Sequence, residues 1–132
     1  MIKGIGNLGI VGKDIEKSLK ALSQIIEFEK PVVKDFPDTK MRCTVVQTQG
    51  AALEFLQDNS DSGMMARFNR ERGDAIHHFC RLSDSIEQDL EALKKKGVEM
   101  RDQKPRIGLR GKKIAMSTPN ALNGITIELS EP

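Results

Sequence analysis

The sequence repeats itself at a fixed distance along the chain. When it is aligned with itself at a shift of 71 positions, Asn7 meets His78 and the following segments share five identities. Four of these lie at the spacing of a helix core. The identities are Ile15/Ile86, Glu16/Glu87, Leu19/Leu90, Ala21/Ala92 and Leu22/Leu93. So many matches at one shift indicate an internal repeat rather than a shared composition.

A second match lies further along each copy. At a shift of 74, Gly50 meets Gly124 and Glu54 meets Glu128, which needs only a three-residue insertion in a loop. We therefore predict one domain, residues 1–132, made of two repeats at about 5–58 and 76–131. The fold class that follows is α+β, with two tandem βαβββ modules forming a curved mixed sheet around a central cleft.

Hydrophobic periodicity predicts the elements of each copy. Period-two alternation and turn residues predict strands, and apolar stripes at helical spacing predict helices. The predicted strands are 5–12, 29–34, 41–47, 51–57, 76–82, 98–101, 112–117 and 124–129. The predicted helices are 14–27 and 85–96, with a connecting helix at 62–72.

Composition limits the compartment and the partners. The net charge of +2 is close to neutral, and there is no Trp or Tyr to stack on bases, so we expect no nucleic acid partner. The two cysteines fit a reducing compartment. No apolar run reaches the length of a membrane span, and the start lacks a signal-peptide pattern, so we expect a cytoplasmic protein without a membrane partner.

Equivalent positions of the two copies carry side chains that bind metals. If the copies pair about a pseudo-twofold axis, Asn7, His78, Glu54 and Glu128 converge in the cleft. Imidazole, carboxylate and amide oxygens suit a divalent metal such as Zn, Co, Mn, Ni or Fe. A lone histidine is more often a surface or hydrogen-bonded core residue, and the repeat is what favours His78 over His77, which faces the other way.

These features resemble the vicinal oxygen chelate superfamily, which includes glyoxalase I, extradiol dioxygenases and fosfomycin and bleomycin resistance proteins. Within it the chain is most similar to the methylmalonyl-CoA epimerases. The segments that carry this resemblance are 53–56, 73–79, 105–115 and 123–129. The resemblance spans nearly the whole chain and is more specific in the second half. It implies a glyoxalase-like fold.

The resemblance also implies the metal ligands. The family's ligands fall on Asn7, Glu54, His78 and Glu128, but the family has His where this chain has Asn7. An amide oxygen suits Mg or Mn and binds Zn or Co less well than imidazole does. The implied cofactor is therefore a divalent ion, Co, Zn, Mn, Ni or Mg, whose identity depends on Asn7.

The implied activity is epimerisation of an acyl-CoA thioester through α-proton abstraction and an enolate. Inversion needs acid/base groups on two faces of the substrate. Glu128 matches one of the family's pair, and Asp38, after Pro37, falls at the position of the other. The alternative for Asp38 is an ordinary turn residue.

A basic segment, residues 104–113, holds five cations and no acid. By resemblance, Arg110, Lys112 and Lys113 meet the phosphates of coenzyme A. The alternative is a solvated hairpin tip. Cys80 shares the face of His78 and has no base at a motif spacing, so we interpret it as pocket wall.

Two other functions remain open. One is glyoxalase I-like lyase chemistry on a glutathione adduct, which uses the same metal plan. The other is a metal-free protein that binds a small ligand, as resistance proteins do, and Asn7 keeps this alternative open. We also expect a homodimer, with Met64, Met65 and Phe68 as the candidate contact.

Overall fold

The computed structural model describes residues 2–132. Its elements follow the order strand–helix–three strands twice, with one helix between the copies. The first copy contains β1 (Ile2–Val11), α1 (Ile15–Ser23), β2 (Lys34–Phe36), β3 (Met41–Val46) and β4 (Ala52–Asp58). The connecting helix is α2 (Met64–Arg72). The second copy contains β5 (Ala75–Ser83), α3 (Ile86–Lys95), β6 (Arg106–Ile107), β7 (Lys113–Met116), a 3-10 turn (Pro119–Ala121) and β8 (Thr126–Ser130).

The strands form a mixed sheet with the hydrogen-bonded order β2-β3-β4-β1-β5-β8-β7-β6. Contacts divide the chain into two compact units. One is Leu8–His77, and the other consists of the first part of β1, up to Asn7, together with His78–Pro132. Among the described helices, none combines the length and the hydropathy needed to cross a membrane.

In the unit Leu8–His77, α1 packs on an antiparallel sheet. The Asp14 carboxylate accepts a hydrogen bond from the Lys17 backbone N–H and caps the helix. Its apolar stripe enters a core formed by Ile15, Val46 and Phe55. The helix ends at Ser23 rather than at the predicted 27, and Ile25, which the longer helix would include, is 77% exposed.

In the unit that contains His78–Pro132, α3 packs on β7 and β8. Ile86 and Leu90 of the helix meet Ala115, Leu129 and Met100 in a core in which each residue is at most 5% exposed. β5 runs parallel to β8, and β7 pairs antiparallel with β8. The Leu129 side chain therefore lies on the face of β8 that packs against α3, and the side chains next to it in sequence lie on the opposite face.

Two predicted strands are wrong in part. The segment 29–34 is a strand only at Lys34, because Pro31 has no N–H to donate and Val32 is 78% exposed. The segment 98–101 contributes a single bridge, from Met100 to Ser117. Conversely, the basic segment holds the short strand β6, which pairs antiparallel with β7. These segments are too short for a periodic signal.

Candidate functional site

His78 and Glu128 lie close together on neighbouring parallel strands. In the register of β5 and β8, His78 is opposite Thr126 and Cys80 is opposite Glu128. The Nε2 atom of His78 lies 3.7 Å from Oε2 of Glu128. The two residues are 1% and 9% exposed. A buried imidazole beside a buried carboxylate is an arrangement that can bind a cation or transfer a proton.

The alternation of β8 explains why a glutamate is buried there. Leu129 belongs to the α3 core, so Glu128 points to the opposite face. Four side chains share that face beside it: Cys80 across from it on β5, Met116 across from it on β7, and Thr126 and Ser130 two residues away on β8. All four are at most 5% exposed. The carboxylate thus lies among buried side chains, and the hydroxyls of Thr126 and Ser130 and the His78 imidazole are hydrogen-bonding groups on this face.

The His78–Glu128 pair fits two neighbouring positions around a divalent cation. Nitrogen and oxygen donors bind such ions at roughly 2.0–2.2 Å, so two ligands of one ion lie about 3–4 Å apart. The observed separation of 3.7 Å falls in this range. Within residues 2–132, no group of three or more His, Cys, Asp or Glu side chains is arranged to hold a metal. Among the described residues, the geometry therefore offers His78 and Glu128 as a pair of ligands.

Asn7 is the predicted ligand that β1 contributes to the same unit. It is 6% exposed, and its Nδ2 atom is buried with no hydrogen-bond partner among the described residues. Burial of an amide group without a partner is costly. This N–H donor fits an acceptor atom of a bound ligand. A metal ion would be bound by the amide oxygen instead, and the role of Asn7 as a metal ligand stays a prediction.

Glu54, the fourth predicted ligand, belongs to the unit Leu8–His77. It lies on β4 opposite Val45 and is 7% exposed. Its neighbours Leu53 and Phe55 pack in the α1 core, so Glu54 points away from that core. Its membership of a metal site stays a prediction.

Asp38 lies in the exposed turn between β2 and β3. The Lys40 N–H closes this turn on the carbonyl of Pro37, and Lys40 has a positive φ of 57°. Both interpretations of Asp38, as an acid/base group and as a turn residue, suit this position. Its catalytic role stays a prediction.

The basic residues predicted to bind substrate lie in two different environments. Arg110 and Lys112 are exposed at the tip of the β6–β7 hairpin, where the Gly108 N–H donates to the Lys112 carbonyl. Lys113 lies on the hairpin itself and donates to Glu87 of α3 at 2.9 Å. This bond lowers the pKa of Glu87 and raises the pKa of Lys113. Lys113 is therefore already engaged with a carboxylate on the α3 side of the sheet.

Sequence reasoning gave no separate role to a group of side chains around Met116. Arg106 Nε lies 3.1 Å from both Asp102 carboxylate oxygens, and its Nη2 atom lies 3.3 Å from the Met116 sulfur. Asp102 in turn accepts from the Met116 N–H at 2.9 Å. In the sequence, the alternation of β7 indicates that Ile114 and Met116 lie on one face of the sheet. The pairing of β6 with β7 is needed to show that Arg106 lies on the same face.

Comparison with known proteins identifies the family. Residues 7–116 match the family model of the Glyoxalase/Bleomycin resistance protein/Dioxygenase superfamily. The chain belongs to this superfamily. The membership predicted from the sequence is thereby confirmed.

Two relatives show what this chain is similar to. An uncharacterised Bacillus subtilis protein, YqjC, is 30% identical over 95 residues, which cover 72% of this chain and 68% of YqjC. The mitochondrial methylmalonyl-CoA epimerase of Dictyostelium discoideum is 29% identical over 87 residues, which cover 65% of this chain and 52% of the epimerase.

A solved structure confirms the predicted superfamily fold. The methylmalonyl-CoA epimerase of Streptomyces coelicolor, in complex with 2-nitronate-propionyl-CoA, matches with a TM-score of 0.85. The match covers 99% of this chain and 95% of the epimerase at 19% identity. The paired βαβββ modules and the mixed sheet therefore follow the glyoxalase-like fold.

Proposed function

We propose that this chain is an acyl-CoA epimerase that inverts an acidic α-carbon of a malonyl-type thioester by abstracting its proton. The observation that carries the proposal is the buried His78–Glu128 pair, with Nε2 and Oε2 3.7 Å apart. Further support comes from relatives named as methylmalonyl-CoA epimerases and from the structurally similar Streptomyces coelicolor epimerase, which is solved with 2-nitronate-propionyl-CoA.

Glu128 is the proposed base. In the proposed reaction its carboxylate takes the α-proton, the C–H bond breaks, and the electron pair moves onto the thioester carbonyl to form an enolate. Its burial beside His78 favours this role, because the carboxylate is held in one place on the inner face of β8.

His78 is the proposed partner of that carboxylate. With 1% of its surface exposed, its imidazole has a restricted orientation beside Glu128. It can hold a cation or keep the carboxylate in one position. A divalent ion bound there, with Asn7 and Glu54 as the other predicted ligands, would supply positive charge to the developing enolate oxygen.

Inversion requires a second acid/base group on the opposite face of the substrate. We assign this role to Asp38, which would return a proton to the α-carbon from that face. Arg110 and Lys112, exposed at the hairpin tip, are the proposed contacts for the phosphates of coenzyme A. Lys113, the third predicted contact, would have to exchange its bond to Glu87 for a phosphate.

Deuterium exchange tests the proposal directly. In D₂O the protein, loaded with divalent metal, should wash deuterium into the α-position of methylmalonyl-CoA while inverting the centre. Glu128→Gln keeps an oxygen beside His78 but cannot take a proton, so exchange should fall by roughly 10²–10⁴-fold. Glu131→Gln, a carboxylate three residues away that accepts from the Lys113 N–H, is the matched control and should exchange as the unmodified protein does.

The two proposed acid/base groups give different signatures. Asp38→Asn should block inversion more than exchange, since Glu128 still removes the proton from its own face. Equal exchange and inversion by Glu128→Gln and the unmodified protein would exclude Glu128 as the base. Tight binding of methylmalonyl-CoA without any exchange would indicate a binding protein instead of an epimerase.

A further inference from the structure

We infer that Arg106 is the specificity-determining residue for this site and binds the carboxylate of an acidic acyl group. The inference rests on the proposed function, because it assumes that the acyl group of a thioester lies beside Glu128. It concerns the acyl end of the substrate, whereas the basic hairpin tip concerns the phosphates at the other end of coenzyme A.

Strand register places Arg106 on the face that carries Glu128. Arg106 pairs with Ile114 of β7, and Met116, two residues further along β7, pairs with Glu128. Residues that pair directly, and residues two apart on a strand, share one face of a sheet. Lys113 pairs with Ile107 and lies on the other face, where it contacts Glu87 of α3. Among the basic residues of the β6 and β7 strands, Arg106 is thus the one directed to the Glu128 side.

Contacts with Asp102 and Met116 hold the Arg106 guanidinium over β7. Its Nε atom donates to Asp102, whose own position is fixed by the Met116 N–H. Its Nη2 atom reaches the Met116 sulfur at 3.3 Å. Met116 is the cross-strand neighbour of Glu128, and such neighbours have Cβ atoms about 4.5–5.5 Å apart. The guanidinium is therefore one side chain away from the proposed base.

The guanidinium has hydrogen-bonding capacity that these contacts do not use. Within residues 2–132, the Arg106 guanidinium donates to the Asp102 carboxylate and to the Met116 sulfur. A thioether sulfur is a weak acceptor. Arg101 also directs its Nη2 atom to the same sulfur, at 3.5 Å. The Arg106 side chain is 42% exposed, so a ligand can reach it.

The position matches the geometry of an acidic acyl group. In a malonyl-type thioester the carboxylate is bonded directly to the α-carbon whose proton Glu128 would remove. A cation one side chain from the base can therefore meet this carboxylate, and a guanidinium binds a carboxylate with two parallel hydrogen bonds. The phosphates of coenzyme A lie at the far end of the pantetheine arm and are separated from the α-carbon by its full length.

Calorimetric titration with two thioesters tests the inference. Malonyl-CoA and acetyl-CoA differ by one carboxylate and share all other groups, so the ratio of their dissociation constants isolates its recognition. The unmodified protein should prefer malonyl-CoA, and Arg106→Met should reduce this preference about tenfold while affinity for acetyl-CoA stays within twofold. Arg106→Lys should be intermediate, because it keeps the charge and loses the planar fork. Lys112→Met is the matched control and should leave the ratio unchanged.

The possible outcomes separate this inference from the proposed function. If Arg106→Met weakens both thioesters equally, Arg106 contacts a group common to both, such as a phosphate, and the inference is overturned. If the unmodified protein binds neither thioester, the proposed function fails as well. If the Arg106-dependent preference is present but no deuterium exchange occurs, the epimerase reaction is wrong and the carboxylate contact stands.

Discussion

At the scale of single residues, Arg42 forms ion pairs that change the pKa of a neighbouring carboxyl group. Arg42 on β3 donates to Glu16 of α1 at 2.6 Å and to Asp35 of β2 at 2.7 Å. Its hydrogen bond to Glu16 is the main cause that lowers the pKa of that carboxyl from 4.5 to about 2. The same bond is the main cause that raises the pKa of Arg42. The ion pair thus links α1 to the edge of the sheet.

A pH titration checks the effect of this ion pair. Because the folded-state pKa of Glu16 is below its ordinary value, its stabilising contribution is complete above about pH 4.5 and is lost as the pH falls towards 2. In Arg42→Gln, the pKa of Glu16 should return towards 4.5, as measured by NMR titration of the carboxyl carbon. The effect on stability should be small because both groups are on the surface. A Glu16 pKa that stays near 2 in the variant would contradict the assignment.

The predicted metal ligands can be tested independently of activity. His78→Ala should abolish tight binding of a divalent ion in calorimetry, since it removes the imidazole beside Glu128. Asn7→His should tighten Zn or Co, for which imidazole is the better donor. His77→Ala is the control, because the His77 ring packs edge-on against Phe68 with centroids 4.8 Å apart and should not affect the metal. Unchanged affinity in Asn7→His would mean that Asn7 does not contact the ion.

At the scale of elements, α3 supports the strand that carries Glu128. Ile86 and Leu90 are each 1% exposed and pack on Leu129, the residue that follows Glu128. Packing of Leu129 on one face of β8 is what turns Glu128 towards the other face. The helix therefore contributes to the orientation of Glu128 through its contact with Leu129.

Truncation of the helix core measures this support. Leu90→Ala should lower the free energy of unfolding by about 2–4 kcal/mol, since it leaves a cavity between α3 and the sheet. The matched control is Leu122→Ala, at a side chain that is 40% exposed, and its change should stay within about 0.5 kcal/mol. Urea denaturation followed by circular dichroism gives both values. Equal losses in the two variants would show that α3 packing is not specific.

At the scale of the whole molecule, we predict a homodimer. The buried residues of α2 are Ala66 and Asn69, and Phe68 packs against His77. Met64, at the start of α2, is 42% exposed, so its flexible apolar side chain is available to contact a second chain. Sedimentation equilibrium at high micromolar concentration should give the mass of two chains, and Met64→Lys should shift it towards one. A monomer at that concentration would contradict the prediction.

The sequence by itself predicted the modules, the family and a site that includes His78 and Glu128. A repeat and a period-two alternation are local patterns, so they place helices, strands and faces without knowledge of which strands meet. Even so, the ends of α1 and β2 were misjudged, because apolar residues such as Ile25 and Val32 are exposed.

Only the tertiary structure decided how distant segments pair. The register of β5 with β8 brings His78 to within 3.7 Å of Glu128. The pairing of the two-residue strand β6 directs Arg106 to the Glu128 face, and α3 holds Lys113 on the other. A strand of two residues has no periodicity to reveal its face, and contacts between segments far apart in sequence depend on long-range packing.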